Sequence, residues 1–145
     1  MRQINLLIIH CSATKENHPF TIQALETSHR KRGFNGIGYH YYIRQSGEVI
    51  NTRPLSRIGA HAKGYNRNSI GICYEGGLDK DGKPKDTRTP EQCVPALHPL
   101  GISLSILLRL PKYPASFVGL QPYCRMLFPL LPLADIFLPA NNLVC

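Results

Sequence analysis

No apolar run in the 145-residue sequence reaches the roughly 18 residues that a membrane-spanning helix needs. The opening stretch, Met1 to His10, is too short in apolar residues for a secretion signal and lacks a small-residue cleavage site. Synthesis in the cytoplasm, with no export information of its own and no membrane partner, is therefore expected. The five cysteines, at 11, 73, 93, 124 and 145, are odd in number and show no Cys-x-x-Cys spacing. That argues against a disulfide framework and against a zinc ribbon. Acidic residues are scarce: 9 Asp+Glu stand against 17 Lys+Arg, for a formal charge of +8. Such an excess suits anionic polymers, which attract basic proteins over a Debye length of roughly 8 Å at physiological salt. A nucleic-acid partner is not expected, because charge is its only support and no recognition-helix motif or interleaved basic-aromatic surface accompanies it.

Charge is also missing from one end. Residues 1–92 carry 14 of the 17 Lys+Arg and 8 of the 9 Asp+Glu, whereas residues 93–145 carry only Arg109, Lys112, Arg125 and Asp135. The same tail holds 8 of the 12 prolines. One domain does not ordinarily separate its charge in this way. At 43% hydrophobic and 18% charged, the whole chain is neither disordered nor fibrous in composition.

The first piece has clear local signals. Leu6 to Ile9 is a branched apolar run suited to a buried strand. Thr21 is placed to cap a helix running through His29 to Arg32, with Ile22, Leu25 and His29 on one face and Gly33 as the stop. Tyr39 to Arg44 and Glu48 to Arg53 form a hairpin pattern turning at Ser46-Gly47. Ser69 to Tyr74 reads as a further strand, followed by Gly76-Gly77 and a polar loop from Asp79 to Asp86. Thr89-Pro90-Glu91-Gln92 is a helix start with a Thr cap, a first-position proline and a capping-box Gln.

The sequence after Gln92 contradicts that start. Pro95 and Pro99 each cost a helix roughly 3 kcal/mol through a lost hydrogen bond and a ring clash. Only Ile102 to Leu110 could form a short helix in the tail, and beyond it no period of 3.6 or 2 is sustained. Local signals and their continuation disagree, as they do when no single fold has been selected. The chain therefore divides into residues 1–92, a domain segment, and residues 93–145, an aberrant Pro/Leu-rich tail. A shifted reading frame, a truncation artefact or a disordered tail would account for the break; a Leu/Pro-rich segment packed on the sheet is the plainer alternative.

Three places could carry chemistry. His10 ends the first strand, where a rigid rotamer suits a metal ligand, although a hydrogen-bonded core histidine fits as well. Tyr39 begins the hairpin; alternation puts Tyr39, Tyr41 and Ile43 on one face and His40 and Tyr42 on the other. Its phenol could donate to a developing oxyanion, or it could simply pack. The glycine-punctuated loop from Gly59 to Ser69 offers His61, Lys63 and Asn66 as donors to an acidic or amide-rich ligand, or is an ordinary basic surface loop.

Taken together, Ile9-His10-Cys11-Ser12-Ala13-Thr14, His29-Arg30-Lys31-Arg32-Gly33-Phe34, Ile37-Gly38-Tyr39-His40, Ile58 to Asn66 and Asn68-Ser69-Ile70-Gly71-Ile72 resemble the zinc-dependent N-acetylmuramoyl-L-alanine amidases of the second amidase family. That family includes the amidase-type phage lysozymes and is related to peptidoglycan recognition proteins. The resemblance covers residues 4–92. It implies an α/β fold, a mixed β-sheet flanked by helices, acting as a monomer on peptidoglycan to cut the amide between N-acetylmuramic acid and L-alanine. It also implies His10 as a zinc ligand, Tyr39 as the catalytic tyrosine, and His61, Lys63 and Asn66 as the loop facing the muropeptide. The family's other zinc histidine and its cysteine lie in motifs after the long helix, and neither motif occurs here. A non-catalytic peptidoglycan-binding module is the alternative that this loss implies.

Overall fold

A computed structural model describes residues 2–93 and, as backbone, 96–97, 102–103 and 125–129. In chain order the strands and helices are β1 (Leu6–Cys11), β2 (Thr14–Lys15), α1 (Ile22–Lys31), β3 (Tyr41–Ile43), β4 (Val49–Asn51), a 3-10 turn (Asn66–Asn68), β5 (Ser69–Tyr74), β6 (Gly77–Leu78), α2 (Pro90–Cys93), β7 (Ala96–Leu97), β8 (Ile102–Ser103) and β9 (Arg125–Pro129). Five of them make a mixed sheet in the order β4-β3-β5-β1-β9. β5 runs parallel to both β1 and β3, so His10 pairs with Cys73 and Cys73 with Tyr42. β4 and β9 close the two edges antiparallel. This is the mixed α/β sheet that the sequence led us to expect.

α1 forms where its signals placed it. The Thr21 hydroxyl accepts the Ala24 amide at 3.2 Å, satisfying one of the first-turn donors that a helix leaves open. Leu25 and His29 are its buried residues. Gly33 stops it with φ +84, a left-handed conformation that costs glycine nothing. The helix covers one face of the sheet through Leu25, Ile37, Tyr42 and Cys73, with Phe20, Ile22 and Tyr39 packed around them. The opposite face buries Leu7, Ile9, Cys11, Tyr41, Ile43, Ile70, Ile72 and Tyr74. Each such side chain removed from water is worth about 1.5–3 kcal/mol.

The capping box before α2 is complete. The Thr89 amide donates to Gln92 Oε1 and the Gln92 amide to Thr89 Oγ1, both at 3.1 Å. Gln92 is fully buried, and its Nε2 donates to the carbonyls of Ile43 and Glu75. The last turn before the compositional break is thereby tied into the centre of the sheet.

Two expectations need correction. The hairpin strand starts at Tyr41, not Tyr39, so alternation does not reach back across His40: Tyr39 packs on the α1 side of the sheet, away from Tyr41 and Ile43. Ile102 and Ser103 do not begin a helix. They pair antiparallel with Leu97 and Ala96, so their backbone groups serve a strand ladder rather than a helical turn. Residues 104–110 of that expected helix lie outside the described residues.

Candidate active site at the end of the first strand

The parallel pairing of β1 with β5 brings His10 over the sheet face that α1 covers. Its side chain is buried, at 3% exposure. Tyr39 lies beside it with ring centroids 5.1 Å apart, and His61 meets it edge-on, with His61 Nδ1 3.1 Å from His10 Nε2. Three of the five residues singled out in the sequence therefore converge. Asn66 serves the same loop from within: its Oδ1 accepts the amides of His61 and Ala62 at 2.9 and 2.8 Å. Lys63 is exposed on that loop.

Two further histidines complete the cluster. His29 stacks at 5.2 Å from the Tyr39 ring, and its Nδ1 accepts the Gly38 amide at 3.0 Å. His40 lies 5.8 Å from His61; its Nδ1 accepts the Gly71 amide and its Nε2 donates to the Arg57 carbonyl, both at 3.0 Å. Burial, with Arg32 nearby, lowers His29 to about 4. Burial likewise lowers His40 to about 4, against the Arg57 hydrogen bond that favours its charged form. Both rings are neutral at physiological pH and act as spacers and acceptors. The sequence marked His29 as a helix-face residue and as part of a family-like stretch, but not as a site residue. Its spacing of four from Leu25 was the available signal.

Tyr39 is tuned the other way. Burial, reinforced by the adjacent Cys73 thiol, holds its phenol far above the ordinary tyrosine value. The phenol stays protonated, so it carries a hydrogen-bond donor at any working pH. Its backbone carbonyl accepts the Thr52 hydroxyl at 2.8 Å. Thr52 also lines a groove of about 440 Å³ with Glu26, Arg30, Asn35, Arg53 and Arg57, a polar and basic trough that suits a hydrated anionic polymer.

This fold has known counterparts. The family described as N-acetylmuramoyl-L-alanine amidase matches residues 1–100, and the chain belongs to that family. The endolysin of Enterobacteria phage K11 is 37% identical over 91 residues, covering 63% of this chain and 60% of its own length. The endolysin of Klebsiella phage KP32 is 35% identical over 105 residues, or 72% and 69% of the two chains. Among solved structures, the endolysin N-acetylmuramoyl-L-alanine amidase LysCS from Clostridium intestinale URNW superposes with a TM-score of 0.53 at 34% identity, over 63% of this chain and 55% of that one. The chain thus spans less than two thirds of the K11 endolysin's length.

The family is generally zinc-dependent, and a catalytic zinc takes three protein ligands plus an open position. Among the described residues, no group of three or more His, Cys, Asp or Glu side chains could hold a metal ion. Cys11 packs on the far face of the sheet, and Cys73 is fully buried with its thiol held protonated by that burial. The described residues do not fit a catalytic zinc. No helix among them is long and apolar enough to cross a membrane.

Proposed function

We propose that this chain is an N-acetylmuramoyl-L-alanine amidase, directed at the amide between N-acetylmuramic acid and L-alanine of peptidoglycan, with its hydrolytic centre incomplete. The observation that carries this reading is the approach of His10 and Tyr39, 5.1 Å between ring centroids, inside the segment that matches the family. Tyr39 supplies a protonated hydrogen-bond donor, the group needed where a carbonyl oxygen gains charge during attack on an amide. The basic groove of Arg30, Arg53 and Arg57, linked to Tyr39 through the Thr52 hydroxyl on its backbone carbonyl, is the surface assigned to the anionic wall polymer. Lys63 is exposed on the loop that carries His61 and adds to the positive charge offered to the polymer. The protein works as a monomer, is made in the cytoplasm, and meets the wall after release.

With His10 as the one family ligand that the matched segment retains, the chain binds zinc weakly and hydrolyses cell wall little or not at all. Elemental analysis of the purified protein, paired with clearing of a cell-wall suspension, tests this. Substoichiometric zinc and negligible clearing are expected. Stoichiometric, chelator-sensitive zinc with wall hydrolysis would overturn the claim of impairment.

The loss of family ligand motifs after residue 92 favours one second reading, a peptidoglycan-binding module without catalysis. Sedimentation with insoluble cell wall, with and without chelator, separates the two. Retention that ignores chelator and accompanies no hydrolysis supports the binding module.

A further inference from the structure

The segment from Thr52 to Arg57 is fastened at several points along its backbone. The amides of Thr52 and Arg53 donate to the His40 carbonyl at 2.9 and 3.3 Å, and the Arg57 amide closes a turn onto the Pro54 carbonyl at 3.0 Å. Arg2 Nε donates to the Leu55 carbonyl at 2.6 Å, and the Arg57 carbonyl meets His40 Nε2 at 3.0 Å. Arg53 and Arg57 therefore project from a braced loop, four positions apart, and both line the groove beside α1. Arg53 is fixed further, because its Nη1 donates to the Ile37 carbonyl at 2.6 Å.

Taken alone, this arrangement works against itself. Burial and the positive charge of Arg57 both oppose the charged form of Arg53, and a guanidinium does not shed its proton in a protein. Among the described residues, Arg53 Nε is buried with no hydrogen-bond partner, and neither arginine makes an ion pair. Glu26, which lines the same groove, is already engaged by Arg30 at 2.7 and 3.0 Å. Two like charges held together by backbone, with a donor left unsatisfied, carry a cost that packing does not explain. An anion set against the pair offsets it.

Charge and shape name the anion. With Arg30 neutralised by Glu26, the groove presents the cations of Arg53 and Arg57. A phosphate monoester carries about −1.5 to −2 charge at pH 7 and three strong acceptor oxygens. That suffices for both guanidinium forks and for the side-chain amides of Asn35 and Asn51, exposed along the same groove. A single carboxylate would leave one guanidinium uncompensated. At about 440 Å³ the groove is of small-ligand size, so the phosphate can arrive on a sugar as well as free.

We infer that Arg53 and Arg57 form a phosphate site in this groove, taking inorganic phosphate or a phosphate monoester between their guanidinium groups. The inference rests on the reading of the groove as an anion-binding surface and narrows it to two residues and one chemical group. It involves neither the hydrolytic centre nor a metal, so it can fail while the amidase reading stands, and the reverse is equally possible.

Isothermal titration of the full chain with inorganic phosphate, and separately with glucose 6-phosphate, at constant ionic strength set with chloride, tests it. Saturable one-to-one binding is expected, tighter for the sugar phosphate if the group arrives on a carrier and tighter for the free ion if it does not. Arg57→Gln should weaken binding about tenfold, the factor for one lost charge-assisted hydrogen bond. Arg53→Lys should weaken it similarly although the charge is kept, because the planar fork is lost. Lys80→Gln removes one charge from an exposed position on another loop and should leave binding unchanged. Weakening by Lys80→Gln equal to that by Arg57→Gln would mean attraction by net charge alone and would overturn the site. Absence of saturation, or acetate binding as tightly as phosphate, would overturn it too. Should Arg53→Lys fail to fold, the exposed Arg57→Gln still decides.

Discussion

Gly38 and Ala60 cross backbone to backbone: the Ala60 amide donates to the Gly38 carbonyl at 2.9 Å, and a β-carbon on Gly38 would overlap the Ala60 carbonyl. The next residue on each side of this crossing is a site residue, Tyr39 on one segment and His61 on the other. The distance between phenol and imidazole is thereby set by backbone contact, which yields less readily than the far end of a flexible side chain.

Gly38→Ala should accordingly destabilise the protein by about 3 kcal/mol, the upper end of typical overpacking costs. Gly33→Ala is the comparison: a β-carbon there meets nothing within 4 Å, and the cost is that of a positive φ, about 1 kcal/mol. Urea denaturation of the two variants measures the difference. Equal losses would mean that the crossing can relax.

Gln92→Ala removes half of the capping box and takes the side-chain donor from the buried carbonyl of Glu75, while the Ile43 carbonyl keeps the Glu75 amide. A loss of about 2–3 kcal/mol is expected from the cap and the one unsatisfied acceptor together. A midpoint shift in denaturant below that of an exposed-site control such as Lys63→Ala would contradict it.

Acid should unfold the protein through His29 and His40. Each is lowered from 6.5 to about 4 by burial in the folded state. Between those values the unfolded chain binds more protons than the folded one, so stability is complete above pH 6.5 and falls as pH drops towards 4. Each ring accounts for a loss on the order of 2–3 kcal/mol. Stability measured across that window in wild type and in His40→Gln should show a shallower slope in the variant. Equal slopes would exclude His40 as a contributor.

Chelation should leave the melting temperature unchanged. A ligand stabilises the fold in proportion to ln(1 + [L]/Kd), which is close to zero for weak binding at ordinary zinc concentrations. A fall of several degrees on adding chelator would mean that residues beyond the described ones complete a metal site.

The coding DNA offers a separate test of the tail. We propose that residues 93–145 are read from a shifted frame. An alternative frame after codon 92 should continue the helix begun by Thr89 and Pro90 and should contain one histidine-bearing and one cysteine-bearing motif. If neither frame does so, the tail is the chain's own.

Local chemistry was legible in the residues themselves. The Thr21 cap, the Gly33 stop, the limits of β5 and the Thr89–Gln92 box all rest on hydrogen bonds or periodicities spanning a few positions, and such signals are written in adjacent residues. The family segment and its two principal rings, His10 and Tyr39, were legible for the same reason, as motifs. Tertiary structure decided the rest. Tyr39 changed faces because the strand begins two residues after it. Asn66 turned inward to brace its loop. His10 and His61, 51 positions apart, met only because a parallel sheet sets β1 beside β5 and the bare backbone of Gly59 and Gly71 leaves room for one imidazole. Parallel pairing joins segments distant along the chain, and nothing in the local pattern of either one names its partner.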